Sequence, residues 1–339
     1  MTDNAITSNA PVHDGRRKAA RVRQWVAQNS TFLVVIVLLV AFGFTAPVFL
    51  SPNNIFNIFR QMAVVATLGI GMTMVILIGG IDLSVGSTLF LTAGLSALLI
   101  EQGQLTAAAI VIGVGAACLV GLLNGVLIEI VGISPVITTL GTLIGVRGLA
   151  LVLMNNAQIR VTDSFFEAIA VTRLPAVPAI GLPGFPVLVV IVFVLYLLAA
   201  LLLSKTFFGR YIYAIGGNET AARLCGVPTK RYKVLTYTLC AFFAGLSGIL
   251  MAASTGVVSP NLGAGSEFYT IAAVVLGGTW LSGGVGRVKK TLLGAFILYM
   301  VLNYMTIRRI PTEWQQAATG LLVIAAVVLD QLISRRGRA

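Results

Sequence analysis

The stretch Gly209-Arg-Tyr-Ile-Tyr-Ala-Ile-Gly-Gly-Asn-Glu-Thr-Ala-Ala-Arg-Leu-Cys-Gly226 lies between two long apolar runs and reads as a small capped helix held at a membrane surface. Asn218 can accept from the free N–H groups of a first turn, and Glu219 places its charge where the helix dipole favours an anion. Gly226 can take the left-handed closing position and Pro228 blocks continuation, so the helix spans only about two turns. Lys205, Arg210, Arg223, Lys230, Arg231 and Lys233 surround it against the single acid Glu219, which by the positive-inside rule turns the loop toward the cytoplasm.

The apolar runs on either side set the fold class. The chain is 58% hydrophobic and only 10% charged, far below the roughly one-quarter charged content of soluble domains. Gln24 to Phe59, Gln61 to Ile81, Gln102 to Ile128, Leu174 to Ser204 and Val234 to Ser266 contain no Asp, Glu, Lys or Arg. Each exceeds the roughly 20 residues that cross a bilayer. Backbone satisfaction in lipid then requires helices, and the 36 glycines suit close or interrupted helix packing. The expectation is an all-α integral membrane protein.

The formal charge of +12 does not indicate a nucleic acid partner, because the basic residues cluster at 16–23, 205–233, 287–290 and 335–338, each beside an apolar run. Cys118, Cys225 and Cys240 lack paired spacing and His13 is alone in a polar segment, so neither a disulfide framework nor a metal site is expected.

Threading from a cytoplasmic N-terminus predicts ten crossings: 31–50, 56–79, 84–100, 105–130, 135–154, 186–204, 233–254, 268–284, 290–306 and 314–333, with eight or nine as the alternative because the third, eighth and ninth segments are short or glycine-rich. Both termini then lie inside, and seventeen of the 23 basic residues fall on the cytoplasmic side. Residues 1–30 read as a disordered basic tail and 334–339 as a short cytoplasmic tail, flanking a single transmembrane domain over 31–333. Within that domain, 205–232 is the cytoplasmic loop and 155–185 an outer segment. The latter carries an amphipathic helix, Asp163 to Val171, with Phe165, Phe166 and Ile169 on one face; it is either an interfacial helix or a docking surface.

Gly79-Gly-Ile-Asp-Leu-Ser-Val-Gly-Ser87 places a carboxylate at the junction of two spans, where it must avoid lipid. Asp82 reads either as the cap of the third span or as part of a broken helix lining the transport path, with Gly80 and Ser84 beside it. A related pattern recurs 198 residues later as Gly277-Gly-Thr-Trp-Leu-Ser-Gly-Gly284, matching at Gly79/Gly277, Gly80/Gly278, Leu83/Leu281 and Ser84/Ser282. Leu281-Ser-Gly-Gly284 also imitates the signature of ATP-binding-cassette ATPases. No Gly-x-x-x-x-Gly-Lys-Ser/Thr loop exists to cradle phosphates, so the match is coincidental and this polypeptide does not hydrolyse ATP. Asn124, Glu129, Thr138, Thr139, Thr142, Arg147 and Asn303 are in-span polar groups, expected first of all to bond between helices.

Taken together, Gly79-Gly-Ile-Asp-Leu-Ser-Val-Gly86, Thr139-Leu-Gly-Thr142 with Arg147-Gly148, Phe208 to Asn218 with Ala221-Ala222 and Gly226, and Ile271 to Gly278 with Leu281-Ser-Gly-Gly284 resemble the permease subunits of ribose- and xylose-type ATP-binding-cassette importers, of the branched-chain amino acid/ribose class. The resemblance implies about ten transmembrane helices in a bacterial inner membrane, a second permease subunit, a cytoplasmic ATPase that binds ATP, and an external sugar-binding protein. No cofactor is implied in this chain. It makes the Asn218 to Gly226 helix the coupling helix, with Gly209, Arg210, Gly217, Asn218, Glu219, Ala221, Ala222 and Gly226 as the ATPase-coupling residues. Glu219-Thr-Ala-Ala222 with Gly226 is a loose form of the Glu-Ala-Ala and Gly pattern of importer permeases, from which Thr220 departs. Gly80, Asp82, Ser84, Thr139, Thr142 and Gly278 are the candidates for the path or gate.

The expected role is a non-catalytic permease for a monosaccharide, foremost a ribose- or xylose-like pentose. A hexose, polyol or sugar-derived signal is the alternative cargo. An ion-coupled secondary transporter would need mid-membrane ionisable groups, and Asp82, Glu129 and Arg147 supply few. A membrane scaffold would leave the capped helix without a purpose.

Overall fold

The computed structural model describes residues 29–175 and 184–338. Among them thirteen helices follow in order: α1 Ser30–Thr45, α2 Pro52–Leu77, α3 Val85–Glu101, α4 Thr106–Val126, α5 Pro135–Leu153, α6 Ser164–Val171, α7 Val187–Lys205, α8 Phe207–Gly217, α9 Glu219–Leu224, α10 Thr229–Thr255, α11 Ser266–Leu276, α12 Val288–Ile307 and α13 Thr312–Arg338. The protein is all-α, with one two-stranded ribbon of β1 Ile159–Arg160 and β2 Val257–Val258. The N-terminal segment and Pro178 and Pro183 fall outside the described residues.

Helix ends follow local chemistry. Ser51 accepts from the Asn54 amide with Pro52 in the first turn of α2. Six helices are long and apolar enough to cross a membrane: α2, α4 with the π turn Leu127–Val131 that ends it, α5, α7, α10 and α12. α1, α3 and α11 are shorter and also apolar. The burial pattern sorts them: α2 is enclosed almost all round, whereas α5 is the barest of the six.

The core is built around α10, which packs on α4, α2 and α3. Glycine permits the α4–α10 approach. A side chain at Gly121 would strike the Tyr237 carbonyl and Ala241, and one at Gly125 would strike the Val234 backbone.

The eighth predicted crossing, 268–284, is corrected. α11 has 11 residues and reaches only about 16 Å, half of the roughly 30 Å hydrocarbon core. Residues 259–265 before it form a run of tight turns held by Arg147 of α5, whose guanidinium donates to the Pro260 and Leu262 carbonyls at 3.0 Å each. The helix stops at Leu276 because Gly277 and Gly278, the latter at φ 81°, turn the chain inside this glycine-rich segment.

The last helix continues to Arg338 rather than stopping at 333. In the small helix α6, Asp163 caps the Phe165 amide at 2.9 Å as the sequence suggests. Phe166 and Ile169 are buried, but Phe165 is 50% exposed and leaves their face.

Candidate functional site

The opening stretch forms two helices, not one. Thr206 accepts from the Gly209 amide and starts the 11-residue α8, which ends at Gly217. Asn218 has extended backbone, and its side-chain oxygen accepts from the Ala221 amide at 3.0 Å to start α9. At the other end Gly226 has φ 82°, with Gly226 N donating to Arg223 O and Val227 N to Ala222 O at 3.0 Å each. α9 is thus closed at both ends by the residues the sequence nominated. Ala222 packs inward, Leu224 is 85% exposed, and Arg210 lies 4.2 Å over the Phe207 ring.

Sequence reasoning treated Lys233 only as an orientation charge and Glu129 as one in-span polar group among several. The structure joins them. Lys233 Nζ lies 2.6 Å from Glu129 of the π turn and 3.2 Å from Glu219 of α9, while Arg223 lies 3.1 Å from the other Glu219 oxygen. Partial burial disfavours the Glu219 charge, but Lys233 and Arg223 outweigh it and hold this carboxyl below its ordinary value. The missed signal was spacing: Gly121, Gly125 and Glu129 recur every four residues on the α4 face that meets α10.

α8 rests on two glycine turns. A side chain at Gly216 would strike the Leu77 carbonyl and the Gly284 amide. The Tyr213 hydroxyl donates to Gly286 O at 2.8 Å. The turns share one geometry. Gly79 N bonds Ile76 O and Gly80 N bonds Val75 O after α2; Gly278 N bonds Val275 O and Thr279 N bonds Val274 O after α11. Gly79 and Gly278 both have positive φ, 78° and 81°. The structural register therefore pairs Gly79 with Gly278, one residue off the pairing suggested by sequence identity. Gly278 also lines a cavity of about 550 Å³ with Tyr213, Gly286, Arg287 and Lys290.

Asp82 is fully buried, and one carboxylate oxygen accepts from the Ser84 amide at 2.9 Å and the Ser84 hydroxyl at 2.6 Å. Asn124 of α4 donates to the same hydroxyl at 2.9 Å. Asp82 thus fixes Ser84, the residue flanking α3, instead of capping α3 itself. Tyr237 and Cys240 of α10 stand beside the carboxylate, and a side chain at Gly80 would strike the Tyr237 hydroxyl. Asn124 Oδ1 and the Tyr237 hydroxyl have no hydrogen-bond partner among the described residues. On α5, Thr139 is buried and donates to Pro135 O, and Thr142 is half-buried and donates to Thr138 O. The structure brings Gly80, Asp82 and Ser84 together and leaves Thr139, Thr142 and Gly278 on separate elements.

No solved structure matches the chain. The chain is 37% identical over 322 residues to the ribose import permease protein RbsC of Escherichia coli K12, covering 93% of this chain and 97% of that one. It is 34% identical to the D-allose transport system permease protein AlsC of the same organism, covering 90% and 92%. It is 32% identical to the L-arabinose ABC transporter permease protein AraH of Azospirillum brasilense, covering 97% and 96%. The family model described as branched-chain amino acid transport system / permease component matches residues 54–327. With its apolar helices, its half-helix and its capped surface helix, this multi-pass membrane chain belongs to that permease family.

Proposed function

We infer that this chain is the membrane-spanning permease subunit of an ATP-binding-cassette importer for a monosaccharide, with a ribose-like pentose as its first cargo. Ribose, allose and arabinose permeases resembling it over nearly their whole length support the class and the kind of substrate. The observation that carries the mechanism is α9, a six-residue helix closed at both ends and braced by Lys233 and Arg223. A short rigid helix moves as one body, as a lever for a separate motor must.

In this reading a cytoplasmic ATPase binds and hydrolyses ATP and grips the surface of Gly209, Arg210, Gly217, Asn218, Glu219, Ala221, Ala222 and Gly226. The chain has no catalytic role or cofactor of its own. Both termini face the cytoplasm, a second permease subunit completes the path, and an external binding protein delivers the sugar. Gly80, Asp82, Ser84, Thr139, Thr142 and Gly278 belong to the path or its gate. Closure of the ATPases displaces α9, and the spans rock between outward and inward openings. Similarity to the D-allose permease favours a hexose as the second cargo.

The test is reconstitution in liposomes with the cognate ATPase and binding protein. ATP-dependent uptake of labelled ribose, competed by allose or arabinose, is expected. Uptake driven by an ion gradient without the ATPase would overturn the reading.

A further inference from the structure

We propose that Lys233 is the positioning residue that passes displacement of α9 into the π turn Leu127–Val131 and through it into α5. The proposal rests on the reading of α9 as the ATPase dock.

Three observations converge. First, Lys233 is shared unequally: its bond to Glu129 is 2.6 Å with the Glu129 side chain 6% exposed, and its bond to Glu219 is 3.2 Å with that side chain 34% exposed. Glu129 is a nearly buried carboxylate with Lys233 beside it, so separating the pair is costly. The Glu129 end is the buried anchor, and Glu219, nearer the surface, is the end through which α9 pulls on Lys233.

Second, Glu129 sits at the centre of a π turn, an element that interrupts regular helix and recurs where helices flex for function. The turn closes on Gly132 with φ 88°, whose amide bonds the Leu127 carbonyl. Above it, Gly121 and Gly125 lock α4 against α10. The π turn lies just past these two close approaches, and Lys233 of α10 grips it there through Glu129.

Third, only 132–134 separate the turn from α5, the barest of the six long helices. α5 holds Arg147, whose guanidinium pins the turns over 259–265. A tilt of α5 therefore reaches the start of α11. The route has charge at its start, a hinge in its middle and a backbone clamp at its end.

The experiment uses the full permease with its ATPase in liposomes. Spin labels sit on Ile144→Cys, a 66% exposed position of α5, and on Leu197→Cys, a 59% exposed position of α7 outside the route, in a Cys118→Ser, Cys225→Ser background. ATP should change the distance between labels with Lys233 present and with Lys233→Arg, which keeps the cation. Glu129→Gln keeps an acceptor for Lys233 while removing the charge, and Lys233→Met removes the link. Both should abolish the distance change and lower sugar imported per ATP by about tenfold. An ATP-dependent distance change and import ratio surviving in Glu129→Gln and Lys233→Met overturn the proposal. Failure of the unsubstituted permease to bind the ATPase overturns the reading of α9 instead. Should Lys233→Met not fold, Glu129→Gln set against Lys233→Arg decides.

Discussion

The Gly284 amide donates to the Leu77 carbonyl across 2.9 Å. Leu77 ends α2, so its carbonyl lacks an intrahelical partner, and the bond supplies one from the second glycine turn. Gly216 of α8 abuts both groups, so three chain segments meet with no room for a β-carbon.

Gly216→Val should therefore destabilise the permease by about 1–3 kcal/mol through overpacking against backbone. A fall in melting temperature in detergent checks this. Gly217→Ala, one residue away with open space around it, should melt like the unsubstituted protein.

Gly226→Val would force a β-branched residue into a left-handed turn at φ 82°, a strain of about 1–3 kcal/mol. The cost falls on α9 rather than on the spans, so the variant should reach the membrane in normal amount and import poorly. Normal sugar uptake by a well-expressed variant would contradict the coupling role.

Asp82→Asn should be milder than Asp82→Leu. Asn retains an oxygen for the Ser84 amide and hydroxyl, whereas Leu leaves buried donors unpaired at about 1–3 kcal/mol. Folded yield by size-exclusion chromatography separates them, and equal loss in both would assign the role to charge.

The bracing of α9 should depend on pH. Lys233 and Arg223 depress the Glu219 carboxyl, so the stabilisation is fully present above the ordinary carboxyl value and is lost as pH falls through the depressed one. Amide exchange of α9 should thus be faster in Glu219→Gln than in the unsubstituted chain at neutral pH, and the difference should close at acidic pH. A difference unchanged into strong acid would remove the ion pairs from the account.

Much of this was legible in the residues. Asn218 and Gly226 delimited α9 because caps are local, and runs free of charge marked the long helices because lipid enforces composition. Three features were not legible, each because it depends on distant partners. The turns before α11 carry Pro260, Asn261, Gly263 and Gly265, but their hold by Arg147 of α5 cannot be read from spacing. The one-residue shift between the glycine turns shows only in their bonds, since Gly277 closes a helix where Ile78 does so in the first turn. Lys233 belongs to a basic cluster by count and to Glu129 by geometry.

The half-helix also constrains how the protein is made. An 11-residue helix with Glu267 in its first turn and a run of turns before it offers neither the length nor the satisfied backbone that lets a segment partition into lipid unaided. α11 must remain sheltered during synthesis until α12 emerges to pack against it and Arg147 of α5 holds the turns. Biogenesis of this crossing is therefore cooperative, and an arrest of translation between α11 and α12 should leave residues 259–276 outside the bilayer.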